Sequence, residues 1–272
     1  MNRLLVLVPV LVLGLDCKPK IEASGSLAFV HDGKAVRTLS LAELQKSIAW
    51  ETVTAFDPYY GKTKSFHALP LADVLKQGFE GEGAELGTSE YVFRAKDGYA
   101  APFRGPLATE VGGYIAFEDA EVPGWEPIGP QKANPAPFYL VWKKPEQANL
   151  ESHPRPWQLA TIEMAKFDAV YPHTSPGAPE GSPAAKGYAI FRDQCVRCHA
   201  INREGGHVGP DLNVPQNILE YRPEAQVRAY IKNPMTFRYS SMPAHPNFAD
   251  ADLDALIAYF GAMKDKKVDP GN

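Results

Sequence analysis

A chain of 272 residues, 44% of them hydrophobic and 22% charged, is long enough for two ordinary domains with separate cores. Its net charge of −4 supplies no basic surplus, so nucleic acid is not expected among its partners. Three cysteines leave no room for a disulfide framework, since Cys195 and Cys198 belong to one short motif.

At the start, Arg3 precedes an apolar run over 4–15 that only Pro9 and Gly14 interrupt. About a dozen apolar residues are too few to span a bilayer, so 1–17 reads as a signal peptide. The run stops at Asp16-Cys17-Lys18, which resembles a bacterial lipoprotein signal, in which Cys17 would become the lipidated first residue of the mature chain. Gly14-Leu15-Asp16 departs from that pattern, where an aliphatic residue and two small ones are expected. Plain secretion, with Cys17 incidental, is the alternative.

The segment 24–170 reads as short strands with few helices. A hairpin is expected over 25–39, turning at His31-Asp32-Gly33-Lys34. Ser40 stands three residues before Glu43, a capping box that opens a helix over 41–48. A second helix begins near Leu69-Pro70, with Leu71, Val74 and Leu75 on one face. Strands follow at 91–94 and 99–103 around the turn Lys96-Asp97-Gly98, then at 113–117, 138–142 and 157–164. The whole is an α+β or mostly β domain. Gly81 to Gly87 misses the spacing of a nucleotide loop and reads as an ordinary loop. His67, His153 and His173 lack metal-ligand spacing, and Trp125, Trp142 and Trp157 read as core aromatics.

Over 40–165 the series Phe66-His67-Ala68-Leu69-Pro70-Leu71-Ala72-Asp73-Val74-Leu75, Lys96-Asp97-Gly98-Tyr99, Phe138-Tyr139-Leu140-Val141 and Ile162-Glu163 is similar to the sulfite-oxidase-type molybdopterin-binding fold. Members that do chemistry hold molybdenum through a cysteine between the first two helices. Here that region, Glu51-Thr52-Val53-Thr54-Ala55-Phe56-Asp57, has none. The resemblance therefore implies a scaffold without the pterin-supported metal, whose soft ligand is missing.

Residues 171–182 carry Pro172, Pro176 and Pro179 with Gly177 and Gly181, and no apolar periodicity survives there. This reads as the domain boundary. A tether of about eleven residues reaches at most roughly 35 Å, holding the next module near its neighbour.

In the last segment, 183–268, stands Cys195-Val196-Arg197-Cys198-His199. C-x-x-C-H is the attachment signature of c-type haem. Two thiols three residues apart reach neighbouring vinyl groups from one turn of backbone, and the next side chain is held under the iron. C-x-x-C alone also suits a thioredoxin-like pair or half a zinc site, but no second cysteine pair completes a zinc cage. A helix from about 184 presents Gly187 and Phe191, and a helix from Asp250 to about Lys264 carries the stripe Leu253, Leu256, Ile257, Phe260 and Met263.

Those features resemble a class I monohaem cytochrome c, an all-α fold. The resemblance implies one haem c held by Cys195 and Cys198 and ligated by His199 and Met242. Met235, Met263, His207 and His245 are the rival sixth ligands. It places Gly187, Phe191 and Tyr259 at a helix crossing, and Pro210 where its carbonyl orients His199. Pro223 would open a helix carrying Val227, Tyr230 and Ile231 to the pocket, with Tyr239 and Arg228 at the propionates. The implied function is an exported electron carrier without catalytic residues, periplasmic or otherwise extracytoplasmic, held at a bacterial membrane surface through Cys17. Its N-terminal domain would dock a redox partner protein. Two other classes stay open: a two-centre oxidoreductase whose first domain oxidises a small substrate, and a gas sensor with a labile sixth position.

Overall fold

The computed structural model describes residues 25–80, 85–129 and 131–269; the signal-like segment with Cys17, and part of the loop at 81–87, lie outside them. The N-terminal region is mostly β and the C-terminal region helical, as a two-domain chain requires.

In chain order the first region runs β1 (Ser26–His31), β2 (Lys34–Ser40), α1 (Leu41–Ser47), β3 (Glu51–Asp57), β4 (Lys62–Pro70), α2 (Leu71–Gly78), β5 (Glu90–Ala95), β6 (Ala100–Arg104), α3 (Gly105–Ala108), β7 (Gly113–Asp119), β8 (Tyr139–Trp142), β9 (Leu159–Met164) and α4 (Phe167–Val170). The expected capping box forms: Ser40 Oγ accepts from the Glu43 N–H, and Ser40 N–H donates to Glu43. The hairpin β3–β4 is an element that the sequence pattern does not announce.

Two sheets result, ordered β2-β1-β9-β5-β6 and β3-β4-β7-β8. Pairing is antiparallel except between β1 and β9, where the first strand and the last close the larger sheet in parallel. One core fills the space where α1, α2 and strands of both sheets meet, with Phe29, Leu44, Leu69, Phe93, Ile115 and Trp142 all fully buried. A smaller core on the other face of the four-stranded sheet gathers Val53, Phe66 and Tyr139, with Trp125 and Trp157 packed against it. His67, His153 and His173 each pair with a glutamate, Glu118, Glu110 and Glu204 respectively.

The second region contains α5 (Pro183–Ile190), a short hairpin β10 (Ala200–Ile201) and β11 (Glu204–Gly205), α6 (Ile218–Tyr221), α7 (Glu224–Lys232) and α8 (Asp250–Lys264). Helices α5 and α8 cross at Gly187, where a Cβ would stand 1.9 Å from the Ala255 carbonyl oxygen and 2.7 Å from Tyr259 Cβ. Phe191 and Tyr259 fill the angle beside it, ring centroids 5.3 Å apart. Buried amides bind the loops to α8. Asn217 donates to Phe260 O and Asn213 Oδ1, Asn213 to Asn202 Oδ1, and Asn202 to the carbonyls of His173 and Lys266.

The two regions are docked. Along β5, Tyr91 and Phe93 enter the first core while Val92, pointing the other way, enters the core of the helical region. Ala101 and Ala100 of β6 divide in the same manner. The stretch expected to be a tether is fixed at its start. Tyr171 is buried and its hydroxyl accepts from Arg94 Nη1, while the Thr174 carbonyl accepts from the Tyr259 hydroxyl at 2.7 Å. Among the described residues, no helix is long and apolar enough to cross a membrane.

Candidate metal centre

Helix α5 runs directly into a π-helical turn, Phe191–Cys195, and the motif closes on itself behind it. The N–H groups of Cys198 and His199 both donate to Cys195 O, and those of Gly206 and Gly209 donate to Val196 O and Cys198 O. That wrapping directs Cys195, Cys198 and His199 to one cavity of about 680 Å³, within the range of cofactor sites. Burial pushes the Cys195 thiol up to about 12 and the Cys198 thiol up to about 11, so both are protonated at neutral pH.

His199 is held at its far nitrogen. Its Nδ1 lies 2.8 Å from the Pro210 carbonyl, an oxygen that can only accept, so Nδ1 carries the proton and Nε2 presents a lone pair. Burial lowers the pKa of the ring below that of a free histidine and the Pro210 bond opposes it, leaving a neutral imidazole suited to bind a metal. Gly209 makes this placement possible: a Cβ there would come within 2.4 Å of the His199 ring.

The other walls come from α6, α7 and the segment before α8. Val227, Tyr230 and Ile231 line the cavity from α7, and Leu212, Ile218 and Phe260 add apolar surface. Met242 lines it as well, its N–H donating to Ser240 Oγ at 3.1 Å. Met235 is exposed and Met263 is fully buried in α8, and neither lines the cavity. His207 is likewise absent from the lining, its N–H donating to Gly98 O. His245 does line it.

Two expected residues are elsewhere. Arg228 lies one position round α7 from Val227, which turns it about 100° away from the cavity. Its guanidinium is held by Glu224 at 2.6 Å and Asp254 at 2.7 Å. Tyr239 points outward, 59% exposed, while Arg238 and Ser240 on either side of it line the cavity. The cations that line the cavity are Arg222 and Arg238, neither of which the sequence singles out. Arg238 has one signal in the sequence, its adjacency to the Ser240-Ser241-Met242 loop, and Arg222, at the end of α6, has none; the choice between Arg238 and Tyr239 depends on side-chain direction.

The N-terminal domain touches this centre through the motif itself. Arg197, the residue before Cys198, donates from Nη1 to Leu150 O at 2.9 Å and from Nη2 to Glu151 O at 2.6 Å. Its own carbonyl accepts from the Ala100 N–H at the start of β6.

With two thiols, one prepared imidazole, a thioether and an apolar lining, the cavity's donor set fits a haem, and comparison with known proteins agrees. Residues 184–264 match the cytochrome c family. A stretch of 118 residues is 29% identical to cytochrome c oxidase subunit 2 of Alkalihalophilus pseudofirmus, covering 40% of this chain and 34% of that protein. The chain thus spans about a third of that relative's length. The C-terminal region is a cytochrome c domain, a class that implies haem c and suggests electron transfer.

Proposed function

We propose that this protein is an exported, single-haem electron carrier whose N-terminal domain docks a redox partner. The observation that carries the reading is the convergence of Cys195, Cys198, His199 and Met242 on one apolar cavity, with His199 already oriented by Pro210. A haem bound there supplies reversible one-electron chemistry. Cys195 and Cys198 would hold it covalently, His199 and Met242 would ligate its iron, and Arg222 and Arg238 would pair with its carboxylates. The apolar lining would keep water from its iron, and no side chain is asked to act as acid or base.

The sulfite-oxidase-like resemblance gives the N-terminal domain a role as a scaffold without its own metal, and its grip on Arg197 supports a bracing and docking function. The signal-like start and the haem-attachment motif support an extracytoplasmic site, with Cys17 as a lipid anchor at a membrane surface. Ligation is tested by the ferric absorption spectrum of the haem-loaded protein. It should show a sulfur-to-iron charge-transfer band that Met242→Ala abolishes, with a lower reduction potential in the variant. A low-spin wild-type spectrum without that band would overturn Met242 as the ligand.

A further inference from the structure

His245 sits three residues beyond Met242 and faces the same cavity. It is only 8% exposed, its N–H is tied to Ile231 O on α7, and its ring stacks on Phe248 with centroids 4.7 Å apart. Nδ1 is enclosed with no acceptor within hydrogen-bond distance, a costly state for a buried polar atom. The nearest charged oxygen is Glu151 Oε1 at 3.7 Å, just beyond hydrogen-bonding range. With Nδ1 on the Glu151 side, Nε2 is the nitrogen that would meet a group bound in the cavity.

Metal-binding histidines commonly turn one nitrogen to the metal and the other toward a carboxylate, and Glu151 stands on the Nδ1 side of His245. Among the cavity-lining side chains, His245 is the one nitrogen donor besides His199 able to bind iron, since arginine stays protonated. We propose that His245 is a second axial donor, taking the sixth position when Met242 leaves it; this rests on reading the cavity as a haem site. One loop then offers sulfur or nitrogen to the same iron, and exchange between them sets two reduction potentials, the lower with imidazole. Glu151 belongs to the N-terminal domain, and its backbone carbonyl also holds Arg197.

The test is electron paramagnetic resonance and absorption of the haem-loaded ferric protein in three forms: wild type, Met242→Ala, and Met242→Ala with His245→Phe. Met242→Ala should lose the sulfur band yet stay six-coordinate and low-spin, with the signature of two imidazoles. The double variant should be high-spin, and free imidazole should return it to low-spin, which shows that its cavity is intact. A high-spin Met242→Ala, or a double variant that stays low-spin without added ligand, would overturn the proposal. A wild type already showing two imidazoles would instead overturn Met242 and leave His245 as the ligand. Wild type that takes up no haem would sink the haem reading and this proposal with it.

Discussion

Lys64 shows how one side chain can fix a part of the N-terminal domain. Its ammonium is wholly buried and meets Asp119 at 2.8 Å, Glu121 at 3.0 Å and Glu126 at 3.0 Å. Lys64→Ala would leave Asp119 buried without a cation and should cost about 3–5 kcal/mol, a fall in Tm on the order of 10 °C. The pH dependence follows in sign. Lys64 holds the Glu121 carboxyl below its ordinary value of 4.5, and Lys62 with Lys64 does the same for Glu126. Their contribution is complete above 4.5 and is lost as pH falls through the lowered folded values. Wild type should therefore lose stability in acid more steeply than Lys64→Ala, and the Tm gap between them should narrow. A constant gap down to acid unfolding would contradict this. The residues of the metal centre are the most legible in the sequence, because C-x-x-C-H fixes chemistry by spacing alone. Arg228 and Tyr239 lie beside cavity-lining residues without lining the cavity themselves, because adjacency in sequence says nothing of which way a side chain points.

Among the elements, the crossing of α5 and α8 depends on the absence of a single side chain. Gly187→Ala would put a Cβ 1.9 Å from a backbone oxygen, which only separation of the helices relieves. The cost should be about 1–3 kcal/mol or more, read by denaturant unfolding. Gly261 on α8, where a Cβ would meet nothing within 4 Å, is the control. Its change to Ala should stabilise by about 0.5–1 kcal/mol. Equal effects at the two sites would show that the helices do not approach so closely. Elements with caps or turn signals, such as α1 behind Ser40 and the hairpin around Lys96-Asp97-Gly98, are readable in advance. The β3–β4 hairpin is not. Its turn, Pro58-Tyr59-Tyr60-Gly61, carries a weaker signal, and it is held by Asp57 Oδ1 accepting from the N–H groups of Tyr59 and Tyr60. Strand β4 also buries Lys64, which spoils the alternation expected of a strand.

At the scale of the whole molecule, the helical region is not a free module on a tether. It packs against β5 and β6 at one edge of the five-stranded sheet, takes Val92 and Ala100 into its core, and offers Arg197 to the Leu150–Glu151 backbone. Composition marks 171–182 as a boundary because its prolines and glycines erase periodicity. The anchors there, Tyr171, His173 and Thr174, act through hydrogen bonds to residues distant in sequence, which leave no periodic trace. Docking keeps the cavity against a domain that carries no cysteine in its described residues, so the central claim is one redox centre braced by a scaffold. Elemental analysis of the full chain, matured where both haem attachment and molybdopterin insertion are possible, tests it most directly. The expected result is about one iron per chain and negligible molybdenum, with the haem retained after denaturation through its two thioether bonds. Stoichiometric molybdenum would contradict it and make the protein a two-centre oxidoreductase.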